Sequence, residues 1–178
     1  MRTETATLAG GCFWCIEAAF QRVRGVLAVT PGYAGGDVAE PAYEEVCTGR
    51  TGHAEAVDVT FDPDQISYRE LLRIFFAVHD PTTLDRQDAD IGSQYRSAIF
   101  YRTPEQRATA KEVVAELERE GVFPALIVTE LVPLDRFWPA EPAHRDYYAR
   151  HPDQAYCRLV IAPKLEKLRR YYAERVRA

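Results

Sequence analysis

Gly10-Gly11-Cys12-Phe13-Trp14-Cys15 joins two segments of different periodicity. Thr5 to Ala9 reads as a short strand, the paired glycines break it, and Ile16 to Val23 carries apolar residues at 16, 19, 20 and 23, the spacing of a helix. This pattern predicts a sheet with a helix laid on it, and it puts Cys12 in the first turn of that helix. Free amides and the positive end of the helix dipole favour a thiolate there. A thiol that ordinarily titrates near about 8.5 is brought down by one to several units in such a place. Cys12 is the candidate nucleophile. Three other readings stand beside it: an inert core cysteine, a Cys12/Cys15 redox pair of C-x-x-C spacing, and half of a zinc site, although no second C-x-x-C and no H-x-x-x-H follows.

Further out, composition narrows the class. The chain has 178 residues, 47% hydrophobic and 28% charged, a globular balance that predicts one domain spanning 1–178 with a core of its own. A net charge of −5 argues against nucleic acid as a partner. Lys164, Lys167, Arg169 and Arg170 alternate with Glu166 and Glu174, the pattern of a solvated helix face. No apolar run is long enough for a bilayer and Met1-Arg2-Thr3-Glu4 lacks a signal-peptide core, so the expectation is a cytoplasmic protein without a membrane partner. Four cysteines are too few for a disulfide scaffold, which leaves catalytic or incidental uses.

Gly25 to Thr30 reads as a strand ended by Pro31-Gly32, followed by a long packed loop holding Tyr43, Val46 and Cys47. From His53 to Phe61 the alternation is strict: His53, Glu55, Val57, Val59 and Phe61 share one face, and Ala54, Ala56, Asp58 and Thr60 the other. Glu55 thus falls in line with residues that want burial. A desolvated carboxyl there would have a raised pKa and could donate a proton near neutrality; the alternative is a glutamate that reaches solvent or pairs with an arginine. Ser67-Tyr68-Arg69-Glu70 is a capping box opening a helix to Val78, and Thr103-Pro104-Glu105-Gln106 opens another that runs to Glu120 before Gly121. Between them lie a polar loop, Leu84 to Tyr95, and a strand, Ser97 to Tyr101. Beyond them come a strand over Leu126 to Val132, an irregular aromatic segment from Asp135 to Pro142, a short helix from Ala143 to Arg150, a loop from Asp153 to Cys157 and a helix from Pro163 to Val176. The fold class expected is α+β, a mixed sheet with helices against it.

Four separated stretches, Gly11-Cys12-Phe13-Trp14, Tyr33-Ala34-Gly35-Gly36, Gly52-His53-Ala54-Glu55-Ala56-Val57 and Asp90-Ile91-Gly92-Ser93-Gln94-Tyr95-Arg96-Ser97, together resemble the A-type peptide methionine sulfoxide reductases. The similarity continues through Tyr156-Cys157, and the order and spacing of the stretches make it specific. The resemblance implies a two-layer α/β plait, a ferredoxin-like variant with long loops. It implies reduction of methionine S-sulfoxide, free or in proteins, as repair after oxidative damage. Cys12 then matches the nucleophile, Phe13 and Trp14 the aromatic wall for the substrate methyl, and Glu55 the acid that protonates the sulfoxide oxygen. Tyr43 and Tyr95 match phenols that hold that oxygen, and Asp90 a polar residue of the same site. Cys12 would pass through a sulfenic acid to a disulfide, recycled by thioredoxin. Cys157 matches the resolving thiol; Cys15 stands where the commoner pattern has Gly and competes with it, and Cys47 comes third. No cofactor and no metal are implied, and a monomer is expected. Two rivals remain: a general thiol-disulfide oxidoreductase using Cys12 and Cys15, and a methionine-binding module without chemistry.

Overall fold

The computed structural model describes residues 2–177; Met1 and Ala178, the ends of the expected domain, lie outside the described residues. The elements in order are β1 (Glu4–Gly10), α1 (Phe13–Gln21), β2 (Val26–Ala34), α2 (Tyr43–Cys47), β3 (Ala54–Phe61) and α3 (Tyr68–Ala77). A minute hairpin of β4 (Arg86–Gln87) and β5 (Asp90–Ile91) follows, then β6 (Ser97–Tyr101), α4 (Pro104–Arg119), β7 (Glu130–Pro133), β8 (Phe137–Pro139), α5 (Tyr147–Arg150) and α6 (Ala162–Tyr171). Six strands form one mixed sheet in the order β7-β6-β1-β3-β2-β8, parallel only between β6 and β7. Among the described residues no helix is long and apolar enough to cross a membrane.

The alternation along β3 sorts its side chains as expected. Val57, Val59 and Phe61 join Phe13, Ile16 and Phe20 of α1 and Leu71, Leu72, Phe75 and Phe76 of α3 in the main core. Each such side chain contributes about 1.5–3 kcal/mol by burial. The opposite face is thin, built from Ala9, Ala34, Ala54, Ala56, Ala98 and Phe100. Nearby, the chain closes on itself at Gly36, where a Cβ would stand 2.4 Å from both His53 N and Thr51 O, so only glycine fits. His53 locks that approach: Gly36 N–H donates to Nδ1 at 3.0 Å, and Nε2 faces the Val38 carbonyl at 2.7 Å.

Both capping signatures hold, Ser67 Oγ accepting from Glu70 N and Thr103 Oγ1 from Gln106 N. Several boundaries differ from the sequence reading. β2 runs through Pro31-Gly32 to Ala34, because Pro31 turns its carbonyl, and so its missing donor, away from β3 toward Ala140, whose N–H bonds to that carbonyl at 2.8 Å. The 33–52 loop contains α2, anchored by buried Val46. β7 is confined to 130–133, since the register Ala98↔Glu130 leaves 126–128 beyond the start of the short β6. Phe137–Pro139 is an edge strand on β2 rather than irregular chain. The helix expected over 143–150 is split at Asp146, whose φ is +53°. Cys157 is not in a loop: it opens a π-helical turn over 157–161 that runs into α6.

Candidate active site

Gly11 leaves β1 at φ +91°, where a Cβ would collide with the Gln87 side chain, and the sharp turn delivers Cys12 to the start of α1. Cys12 is the N-cap (φ −58°, ψ 125°), one residue before the expected first turn. Its thiol does not receive the amides that the sequence reading assigned to it. Phe13 N–H donates to Glu55 Oε1 at 3.1 Å, and Cys15 and Ile16 N–H turn to the Cys12 carbonyl at 3.1 and 3.5 Å. Burial therefore decides. Cys12 is 7% exposed, and desolvation, then the Cys15 thiol and the Glu55 charge, push its pKa up rather than down. Cys15 moves the other way: interaction with the neighbouring Cys12 thiol lowers it in spite of burial, with help from the Lys164 charge.

Glu55, second residue of β3 and opposite Tyr33 of β2, is 1% exposed. It neither reaches solvent nor pairs with an arginine. Oε1 holds the Phe13 amide, and Oε2 has no hydrogen-bond partner among the described residues. Burial raises its pKa to about 8; the Phe13 amide pulls it back, and the Asp90 and Cys15 charges push it further up. That shift favours the protonated carboxyl near neutral pH and leaves one oxygen uncommitted close to Cys12.

Aromatic rings surround the pair. Phe13 lies 5.6 Å from Tyr33 and 6.2 Å from Tyr43 between ring centres. Trp14 lies flat on Tyr147 (3.7 Å, 4°), 6.4 Å from Tyr43 and edge-on to Tyr156 at 6.0 Å. Tyr95 ends a 3₁₀ turn, Ser93–Tyr95. Burial, and next the Glu55 charge, push the Tyr43 and Tyr95 phenols upward, so both remain O–H donors. Asp90 comes in through a neighbour: Tyr156 Oη donates to Asp90 Oδ2 at 2.8 Å and stands 3.6 Å from Cys15 Sγ. Cys157 is wholly buried in the same core as Cys12 and Cys15, whereas Cys47 lies exposed at the end of α2. The structure thus gathers Cys12, Phe13, Trp14, Tyr43, Glu55 and Tyr95, reaches Asp90 and Cys157 through Tyr156 and Cys15, and leaves Cys47 at the rim.

Three residues escaped the sequence reading. Glu141 accepts from Tyr33 Oη at 2.8 Å and from Tyr43 N at 2.9 Å, clamping α2 to the sheet. His144 Nδ1 accepts from the Trp14 indole N–H at 3.1 Å, which requires a neutral imidazole; burial lowers its pKa accordingly. Tyr147 supplies the plate under Trp14. The only available signal was the density of His and Tyr after Pro139, and nothing local says that this segment returns across α1. Among the described residues no group of three His, Cys, Asp or Glu could hold a metal ion. What remains is a buried thiol and a buried carboxyl, joined through the Phe13 amide and walled by aromatic rings.

Known proteins share both the sequence and the fold. Residues 4–176 match the family model described as peptide methionine sulfoxide reductase. The chain is 60% identical over 177 residues to a peptide methionine sulfoxide reductase MsrA of Thermus thermophilus, covering 99% of each. It overlays on the methionine sulfoxide reductase A of Corynebacterium diphtheriae with a TM-score of 0.77 (38% identity, 84% of this chain, 76% of that one). It also overlays on reduced Mxr1 of Saccharomyces cerevisiae with a TM-score of 0.82 (31% identity, 88% and 90%). Mxr1 in complex with Trx2 shares the fold (TM-score 0.58, 24% identity, 82% and 85%). With a family model matched across nearly its whole length and relatives at this identity, the chain belongs to the peptide methionine sulfoxide reductase family.

Proposed function

We propose that this chain reduces methionine S-sulfoxide, free or in proteins, to methionine, repairing oxidised protein in the cytoplasm as a monomer. The observation that carries the reading is the Glu55 carboxyl: buried, held by the Phe13 amide next to Cys12, with one oxygen uncommitted. A sulfoxide oxygen leaves sulfur only when protonated, so the reaction needs a neutral acid and a sulfur nucleophile at the same bond. In this reading the substrate oxygen lies among the O–H groups of Glu55, Tyr43 and Tyr95, and its methyl lies against Phe13 and Trp14. Each polarising donor lowers such a barrier by about 2–4 kcal/mol. Asp90 acts by holding Tyr156.

Cys12 sulfur attacks the sulfoxide sulfur; Glu55 gives its proton to the oxygen and takes the proton leaving the thiol. Cys12 loses two electrons and becomes a sulfenic acid, the substrate sulfur gains two, and methionine departs. Resolution to a disulfide with Cys157 releases water. An external dithiol then restores the enzyme, and the Mxr1–Trx2 complex favours thioredoxin for that part. Residues 1–178 are read as one domain whose centre, β1-α1-β2-β3-α3-β6, is a ferredoxin-like plait.

Separated R and S sulfoxides test the reading. The S epimer should be reduced and the R epimer spared, and Cys12→Ser should abolish turnover. Turnover by Cys12→Ser, or insulin reduction without sulfoxide turnover, would favour a general dithiol oxidoreductase, which leaves Glu55 and the phenols without a task.

A further inference from the structure

Resting on that reading, we infer that Glu17 is a positioning residue for the substrate methyl group: its buried carboxyl holds the Asp146–Tyr147 turn against α1 and so keeps the Tyr147 ring flat under Trp14. Glu17 is 2% exposed, and the mechanism above does not use it. Trp14, Glu17 and Gln21 stand at i, i+3 and i+7 on α1, one stripe of the helix surface. All three reach the same segment. The Trp14 ring lies on Tyr147 at 3.7 Å and 4°, Glu17 Oε2 accepts from Asp146 N–H at 3.0 Å, and Gln21 Nε2 donates to Asp146 Oδ1 at 2.6 Å.

The segment needs that hold. α5 is four residues long with no buried side chain of its own, and Asp146 ahead of it is left-handed at φ +53°. The Tyr147 phenol and the Arg150 guanidinium bond locally, to Gln154 and to the carbonyls of Ala143 and Arg145. A surface turn of this kind opens readily unless something buried grips it. Glu17 is the grip: desolvation raises its pKa to about 7, and the Asp146 amide and then the Tyr147 amide pull it back. A carboxyl leaves water only where polar partners meet it, and the partners here are the two amides that open α5.

The Tyr147 plate is thus fixed from α1, one turn beyond the Trp14 it supports. When the grip is lost, Tyr147 leaves Trp14 and the wall loses its backing. Substrate is then held less tightly both before and at the transition state, which raises KM and leaves kcat.

The test uses a methionine S-sulfoxide peptide with Glu17→Gln, Glu17→Met and Tyr147→Leu. Gln keeps an oxygen for the Asp146 amide, and its KM should stay within about twofold of wild type. Met keeps the length without an acceptor; KM should rise about 10-fold, the weight of a lost hydrogen bond to a charged group, with kcat within about twofold. Tyr147→Leu should raise KM to a similar degree, and adding Glu17→Met to it should raise KM no further. In a Trp138→Phe background, which leaves Trp14 as the one tryptophan, the emission should shift in Glu17→Met as in Tyr147→Leu and not in Glu17→Gln. An unchanged KM in Glu17→Met, or effects of Glu17→Met and Tyr147→Leu that multiply, overturns the inference. Amide exchange in the unaltered protein judges it even where Glu17→Met does not fold: the Asp146 N–H should be protected, and exchange at the rate of an open chain refutes the grip. No sulfoxide turnover in wild type sinks the sulfoxide reading, whereas turnover with KM unmoved by Glu17→Met sinks only the grip.

Discussion

Replacing Glu55 by Gln should weaken the chemistry and strengthen the fold, and both effects have a size. Glu55 is almost fully buried and its pKa rises from 4.5 to about 8, chiefly by desolvation. The folded protein then keeps a proton that the unfolded chain has released. Wild-type stability is therefore full below the unfolded pKa and declines as pH rises through the folded one. At about 1.36 kcal/mol per pH unit the ionised carboxyl costs about 5 kcal/mol in the limit, of which about 3 kcal/mol accrues between roughly pH 5.5 and 8. Gln has nothing to titrate, and its amide oxygen can still accept the Phe13 N–H. Urea unfolding of both proteins across that range should show the variant gaining steadily with pH. Glu17, raised by burial to about 7, titrates in both proteins and cancels in the difference. In single turnover the same substitution should slow methionine formation by about 10²–10⁴-fold, the usual share of a general acid. Stability curves that stay parallel within about 0.5 kcal/mol would mean that Glu55 is ionised throughout, and the neutral-acid mechanism would fall with it.

His144→Leu should leave the Trp14 indole without its acceptor, costing about 1–3 kcal/mol; KM for sulfoxide peptides should rise more than kcat falls, as measured by steady-state kinetics. Gly36→Ala should lower the stability read from urea unfolding by at least about 1–3 kcal/mol, because its Cβ would overlap the backbone at Thr51 and His53. Ser67→Ala should cost about 1 kcal/mol by removing the acceptor for Glu70 N–H, read as a drop in Tm with unchanged sulfoxide turnover.

What the sequence by itself determined was whatever depends on near neighbours in the chain. The glycine pair ends β1, the two caps open α3 and α4, and strict alternation over 53–61 puts Glu55 on the helix side of the sheet. The positions of Cys12 and Glu55 were legible on those grounds. Tertiary structure decided the rest, because those outcomes belong to groups distant in sequence. The Trp14 indole finds its acceptor 130 residues away, Tyr33 finds Glu141 after 108, and β7 and β8 are strands only through their pairing with β6 and β2. The charge state of Cys12 went the same way: local reasoning gave the thiol a helix terminus, but a carboxyl 42 residues along the chain takes the Phe13 amide. Packing then removes the water that would have stabilised the thiolate.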